Sequence, residues 1–74
     1  MNKAQIKVKK SIVVDLTDQI SIVGVLEERS GLESIVCHGI VDNRRVGVHE
    51  AYGRAQASLS TMRFVAKVIE KELL

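Results

Sequence analysis

"QISIVGVLEE", residues 19–28, decides the fold of this 74-residue chain, because a helix and a strand built from it lead to different proteins. A helix would take Thr17 or Asp18 as its cap and Gly31 as its stop. Against it stand Ile20, Ile22, Val23 and Val25, with Gly24 at the centre. Branching at Cβ restricts rotamers on a helix, and an interior glycine costs about 1 kcal/mol there relative to alanine. The same residues suit a pleated, half-buried strand. The segment therefore reads as a strand.

The stretch before it supplies the partner. In "IKVKKSIVVDL", residues 6–16, Ile6, Val8, Ile12, Val14 and Leu16 take even positions, a period-two pattern that predicts a strand over residues 5–16. A tight turn centred on Asp18 and Gln19 then sets Val14 opposite Val23, Ile12 opposite Val25, Lys10 opposite Glu27 and Lys9 opposite Glu28. In this register Lys10 interrupts the apolar face in order to pair with Glu27. Opposite charges so placed contribute roughly 0.2–1 kcal/mol and resist slippage.

Further along, "RSG", residues 29–31, predicts a turn and residues 32–41 a third strand. "DNRR", residues 42–45, is a second turn signal, since Asn43 tolerates a left-handed backbone. It sets Val41 opposite Val46 and Gly39 opposite Val48, with a short fourth strand over residues 45–48. The period then changes. Tyr52, Ala55, Leu59, Met62, Ala66, Ile69 and Leu73 are spaced alternately three and four apart, which predicts an amphipathic helix over residues 49–73. The expected fold is α+β: an antiparallel meander of about four strands, then one long C-terminal helix packed on the sheet (ββββα), in a single domain over residues 1–74. Such a helix would run roughly 36 Å, whereas four strands span only about 15–20 Å. Part of its stripe is therefore expected to seek a second surface, and the chain to form a homo-oligomer.

Composition narrows the functional classes. Cys37 is the lone cysteine, so no intrachain disulfide is possible. A hydrophobic fraction of 46% argues against disorder, and with only Tyr52 and Phe64 aromatic the core must be aliphatic. No apolar run approaches the roughly 20 residues that span a bilayer, and no signal peptide follows Lys3, Lys7, Lys9 and Lys10. A soluble cytoplasmic protein without membrane contact is expected.

Catalysis is not expected. Cys37 and His38 are adjacent on a strand and point to opposite faces, so they cannot form a nucleophile–base pair. A buried thiol and a surface imidazole are the plainer reading. Glu27, Glu28 and Glu33 gather near a turn where water reaches them. Five isolated glycines make no phosphate loop. No cofactor, metal ligand or catalytic residue is assigned.

A non-enzymatic binding protein acting on a macromolecular partner is the expected function. Leu59, Met62, Ala66, Ile69 and Leu73 are its candidate surface for self-association or a protein partner. Nucleic acid is the alternative, through phosphate contacts from Lys7, Lys9, Arg44 and Arg45 if folding joins them on one surface. A second alternative is a small molecule held between subunits, with Arg44 and Arg45 as anion contacts.

Overall fold

The computed structural model, which describes residues 5–74, makes the deciding segment a strand. β2 (Ile20–Arg29) lies between β1 (Ile6–Asp15) and β3 (Leu32–Val41), and β4 (Arg44–Val46) completes an antiparallel sheet in the order β1-β2-β3-β4. A helical C-terminal region follows, giving the ββββα order expected. Lys3 lies outside the described residues.

The last two hairpins close through tight two-residue turns. Ser30 and Gly31 have φ of 53° and 82°, and Asp42 and Asn43 have 49° and 65°. Positive φ at both central residues is the turn whose twist matches that of the flanking strands. Because Asp42 shares the left-handed bend with Asn43, Val41 faces Arg44 and Gly39 faces Val46. The expected pairing of Val41 with Val46 is thus two residues out, and β4 begins at Arg44.

The first hairpin departs further. Leu16–Gln19 form a wider connection, held by Leu16 N–H donating to the Ile20 carbonyl at 2.8 Å and Gln19 N–H donating to Thr17 Oγ1 at 3.1 Å. Neither Asp18 nor Gln19 takes the positive φ that a tight two-residue turn requires, so that turn does not form. The register moves by one, so Val14 faces Ile22 and Lys10 faces Leu26. A bulge at Lys9 moves it again, and Glu27 faces Val8. The Lys10–Glu27 and Lys9–Glu28 pairs are therefore not formed. Lys9 instead reaches over β2 to Glu33 Oε2, at 2.5 Å. Lys10 still stands at the wet end of the apolar face, beside Leu26 and Leu73.

The helical region is not continuous. α1 (Val48–Arg54) and α2 (Leu59–Leu73) are separated where Gln56 takes φ of 53°. Ala57 N–H donates to the Tyr52 carbonyl, closing α1, and Ser58 Oγ accepts from Thr61 N–H to start α2. The break resolves the excess length. α1 packs on β3 and β2, while α2, about 22 Å long, packs on β1 and β2. Gly53 sits in the last turn of α1 with open space around it. Gly53→Ala should raise the melting temperature, by up to about 1 kcal/mol of added stability, as differential scanning calorimetry can measure.

One face of the sheet meets both helices. Ile20, Ile22, Leu26 and Val41 join Ala51, Tyr52, Val65, Ile69 and Leu73 in a single cluster. Close approach depends on two strand glycines. A Cβ at Gly39 would overlap that of Ala51, and one at Gly24 would lie 2.7 Å from Ile69 Cγ2. The product is a flat molecule of 44 × 25 × 16 Å, with a radius of gyration of 13.4 Å, where a compact domain of this length has about 11 Å.

Candidate functional site

The face of the sheet turned away from the helices carries the least expected feature. Alternation sends Val23 to the side opposite Ile22, and Val23, although only 8% exposed, does not belong to the core cluster. It is covered by neighbours on its own face, lying between Val13 and His38 across the ladder. Val25 lies likewise between Ser11 and Val36. Toward the β2–β3 turn the rows continue with Val8 beside Glu27, then Ile6, Arg29 and Leu32.

None of these rows meets a helix. Among the described residues eight large apolar side chains are exposed, and five of them, Ile6, Val8, Val13, Leu32 and Val36, share this face. The other three are Leu59 and Phe64 on α2 and Leu74 after it. Charges on the bare face lie toward its two ends: Glu27 and Arg29 on β2, flanked by Val8, Ile6 and Leu32, at one end, and Asp15 and Arg45 at the other. Ser21 donates to Asp15 Oδ1 at 2.8 Å, fixing that carboxylate at its corner.

The candidate residues on the helix are divided. Ile69 and Leu73 are 4% and 2% exposed, packed with Val65 against the sheet, and Met62 borders them. Leu59 and Ala66 face solvent. The stripe that meets the sheet is Val65, Ile69 and Leu73, so the five do not form one open surface.

The basic candidates do not converge either. Lys7 and Lys9 lie on β1 and Arg44 and Arg45 on β4, the two opposite edges of the sheet. They also lie at opposite ends. Lys7 is level with Glu28 and Arg45 with Ser21, seven residues away on β2 and so about 23 Å along the strand. Lys9 is engaged by Glu33, whose hydrogen bond and charge raise the lysine's pKa.

Cys37 and His38 lie on opposite faces, opposite Gly24 and Val23. Their burial is the reverse of that expected. Cys37 is exposed on the helix side of β3, whereas His38 is half-buried among the outward valines. Partial burial raises the Cys37 pKa, which disfavours the thiolate a nucleophile needs. Among the described residues no group of three histidine, cysteine or acidic side chains is placed to hold a metal ion, and no helix is long and apolar enough to cross a membrane.

Burial, and secondarily the charge of Arg45, lowers the pKa of His38. A lowered folded pKa means that the unfolded chain binds the proton more readily. Its contribution to stability is complete above about pH 6.5 and diminishes as pH falls toward the folded value. The urea midpoint of the wild type should therefore fall below pH 6.5, and His38→Gln should remove that part of the slope.

Comparisons with protein-family models, with curated proteins and with solved structures find no match to this chain.

Proposed function

We propose that this chain is a small non-enzymatic interaction protein, and that the bare face of its sheet is the surface that docks an apolar face of a protein partner. One observation carries the reading: among the described residues, five of the eight exposed large apolar side chains gather on a face that neither helix covers. Scattered apolar residues are normal on any surface, but a contiguous patch of several hundred Å² marks an interaction site. Its make-up fits, with uncharged valines in the middle rows and charges only in the rows toward the two ends.

A photo-cross-linking amino acid in place of Val36, introduced in the cell of origin, tests it. The same probe in place of Arg63, exposed on α2, serves as the control. Adducts to a polypeptide are expected from position 36 and not from position 63. An absence of adducts at 36, or equal yields from both positions, contradicts the reading.

A further inference from the structure

We infer that the surface received by this face is the same face of a second copy of the chain, the two sheets stacking as the halves of a sandwich with the helices outermost. The inference rests on the docking reading above and names the partner for that site.

Three observations point to a copy rather than to a partner of different chemistry. The first is charge. The middle rows of the face, Val13, Val23, Val25 and Val36, carry none, while the rows toward its ends hold two acids, Asp15 and Glu27, and two bases, Arg29 and Arg45. A strongly acidic or basic partner finds no complement in that balance. A copy does, in one of the two arrangements that a two-fold axis between stacked sheets allows. With the axis along the strands, β1 lies over β4 and Asp15 meets the second copy's Arg45. With the axis across them the two ends exchange and Asp15 comes alongside its Arg29, but Glu27 then stands over its Val23, so the first arrangement is the complementary one. An isologous contact requires this kind of self-complementarity.

The second is area. β1, β2 and β3 are each 10 residues long, so with a rise of about 3.3 Å and a spacing of about 4.8 Å they present roughly 33 by 14 Å. Two such faces together remove on the order of 950 Å² in projection, and more once the relief of the side chains is counted. Specific association needs about 1,000 Å². The third is shape. The molecule is 16 Å through its thinnest dimension, one sheet layer and one helix layer, and packed sheets stand about 10 Å apart. A second copy turns Val13, Val36 and their neighbours from a surface into a core, which a chain of this size lacks on that side.

Sedimentation velocity on the purified protein from about 1 μM to about 1 mM, with far-ultraviolet circular dichroism at each concentration, tests the inference. The wild type should pass from the chain mass of 8.2 kDa to twice that value. Val36→Lys should stay at the single-chain mass throughout, with an unchanged spectrum. Val13→Lys, on the neighbouring edge of the same face, should do the same and replaces it if the first variant does not fold. Phe64→Lys, on the exposed side of α2, should dimerise like the wild type. A wild type that keeps the single-chain mass at every concentration overturns the inference, and so does a doubling that survives both valine substitutions. If the wild type is monomeric while the probe at Val36 still captures a different polypeptide, the second copy is excluded and the docking reading stands. If neither adducts nor self-association are found, both fail.

Discussion

Gly39→Val is expected to lower stability by more than about 3 kcal/mol, a large part of what a chain of this length has. A Cβ at this position meets the Cβ of Ala51 head-on, and its next neighbours are the Gly47 carbonyl oxygen at 3.0 Å and Val46 Cγ2 at 3.1 Å. One of these is backbone, and Ala51 is fully buried on a helix that enters directly from Gly47. The clash therefore cannot be relieved by turning one flexible side chain; α1 must lift from β3. Overpacking a dense core costs about 1–3 kcal/mol and occasionally more. Stability for 74 residues is on the order of 4–11 kcal/mol. Gly39→Ala should already lower the urea midpoint by the equivalent of about 3 kcal/mol, and valine by more. Adding Ala51→Gly to Gly39→Ala should recover part of the loss, since the two Cβ atoms then no longer compete. Gly47→Ser is the informative neighbour. With open space at that position and a cap role to fill, serine should be neutral or stabilising by a few tenths of a kcal/mol. Equal losses at positions 39 and 47 would mean that the helix–sheet contact is misplaced.

Ile22→Ala has the second largest expected effect, a loss of about 2–5 kcal/mol. Ile22 is 1% exposed and belongs to the cluster that joins β2 to α2 through Val65, Ile69 and Leu73. Removing its branches leaves a void between layers that only a shift of α2 could close. Val36 is also an aliphatic strand residue, but it is 46% exposed on the bare face. At concentrations where the protein has the mass of one chain, Val36→Ala should cost less than about 1 kcal/mol. Chemical denaturation of both variants under those dilute conditions measures the contrast. Similar losses would show that the two faces are covered alike.

Much of the architecture was legible in the sequence, for reasons tied to particular residues. Four β-branched residues and Gly24 made residues 19–28 a strand, and they form one. Ser30-Gly31 and Asp42-Asn43 marked the places of two turns, because these residues tolerate the left-handed backbone that tight hairpins demand. Register was harder to read. The extra residue at Lys9 and the four-residue loop after Asp15 shift the pairing without any local signal, since both depend on how β1 lies against β2. The helical break did leave signals in Ser58, three residues before Thr61, and in Gly53, but the unbroken spacing from Tyr52 to Leu73 outweighed them.

The bare face was legible in a different pattern. Ile12-Val13-Val14, Ile22-Val23 and Ile35-Val36 are consecutive apolar residues rather than alternating ones. Such runs are typical of strands buried on both sides. Reading β1 by its even positions alone, with lysines at two of the odd ones, hid Val13. The candidate surface was then sought on the helix, where Ile69 and Leu73 prove to be occupied within the subunit.

The central claim is that α1 and α2 cover one side of the sheet and that the described residues leave the other open within a single chain. Thiol labelling tests it most directly, in a Cys37→Ser background with one cysteine at Val65 or at Val36, both close in size to valine. In dilute protein at the single-chain mass, Val36→Cys should label at nearly the rate of an unfolded peptide thiol. Val65→Cys should label slower by a factor of about 1,000 or more, following the unfolding equilibrium. Comparable protection at the two positions in that dilute protein would contradict the account.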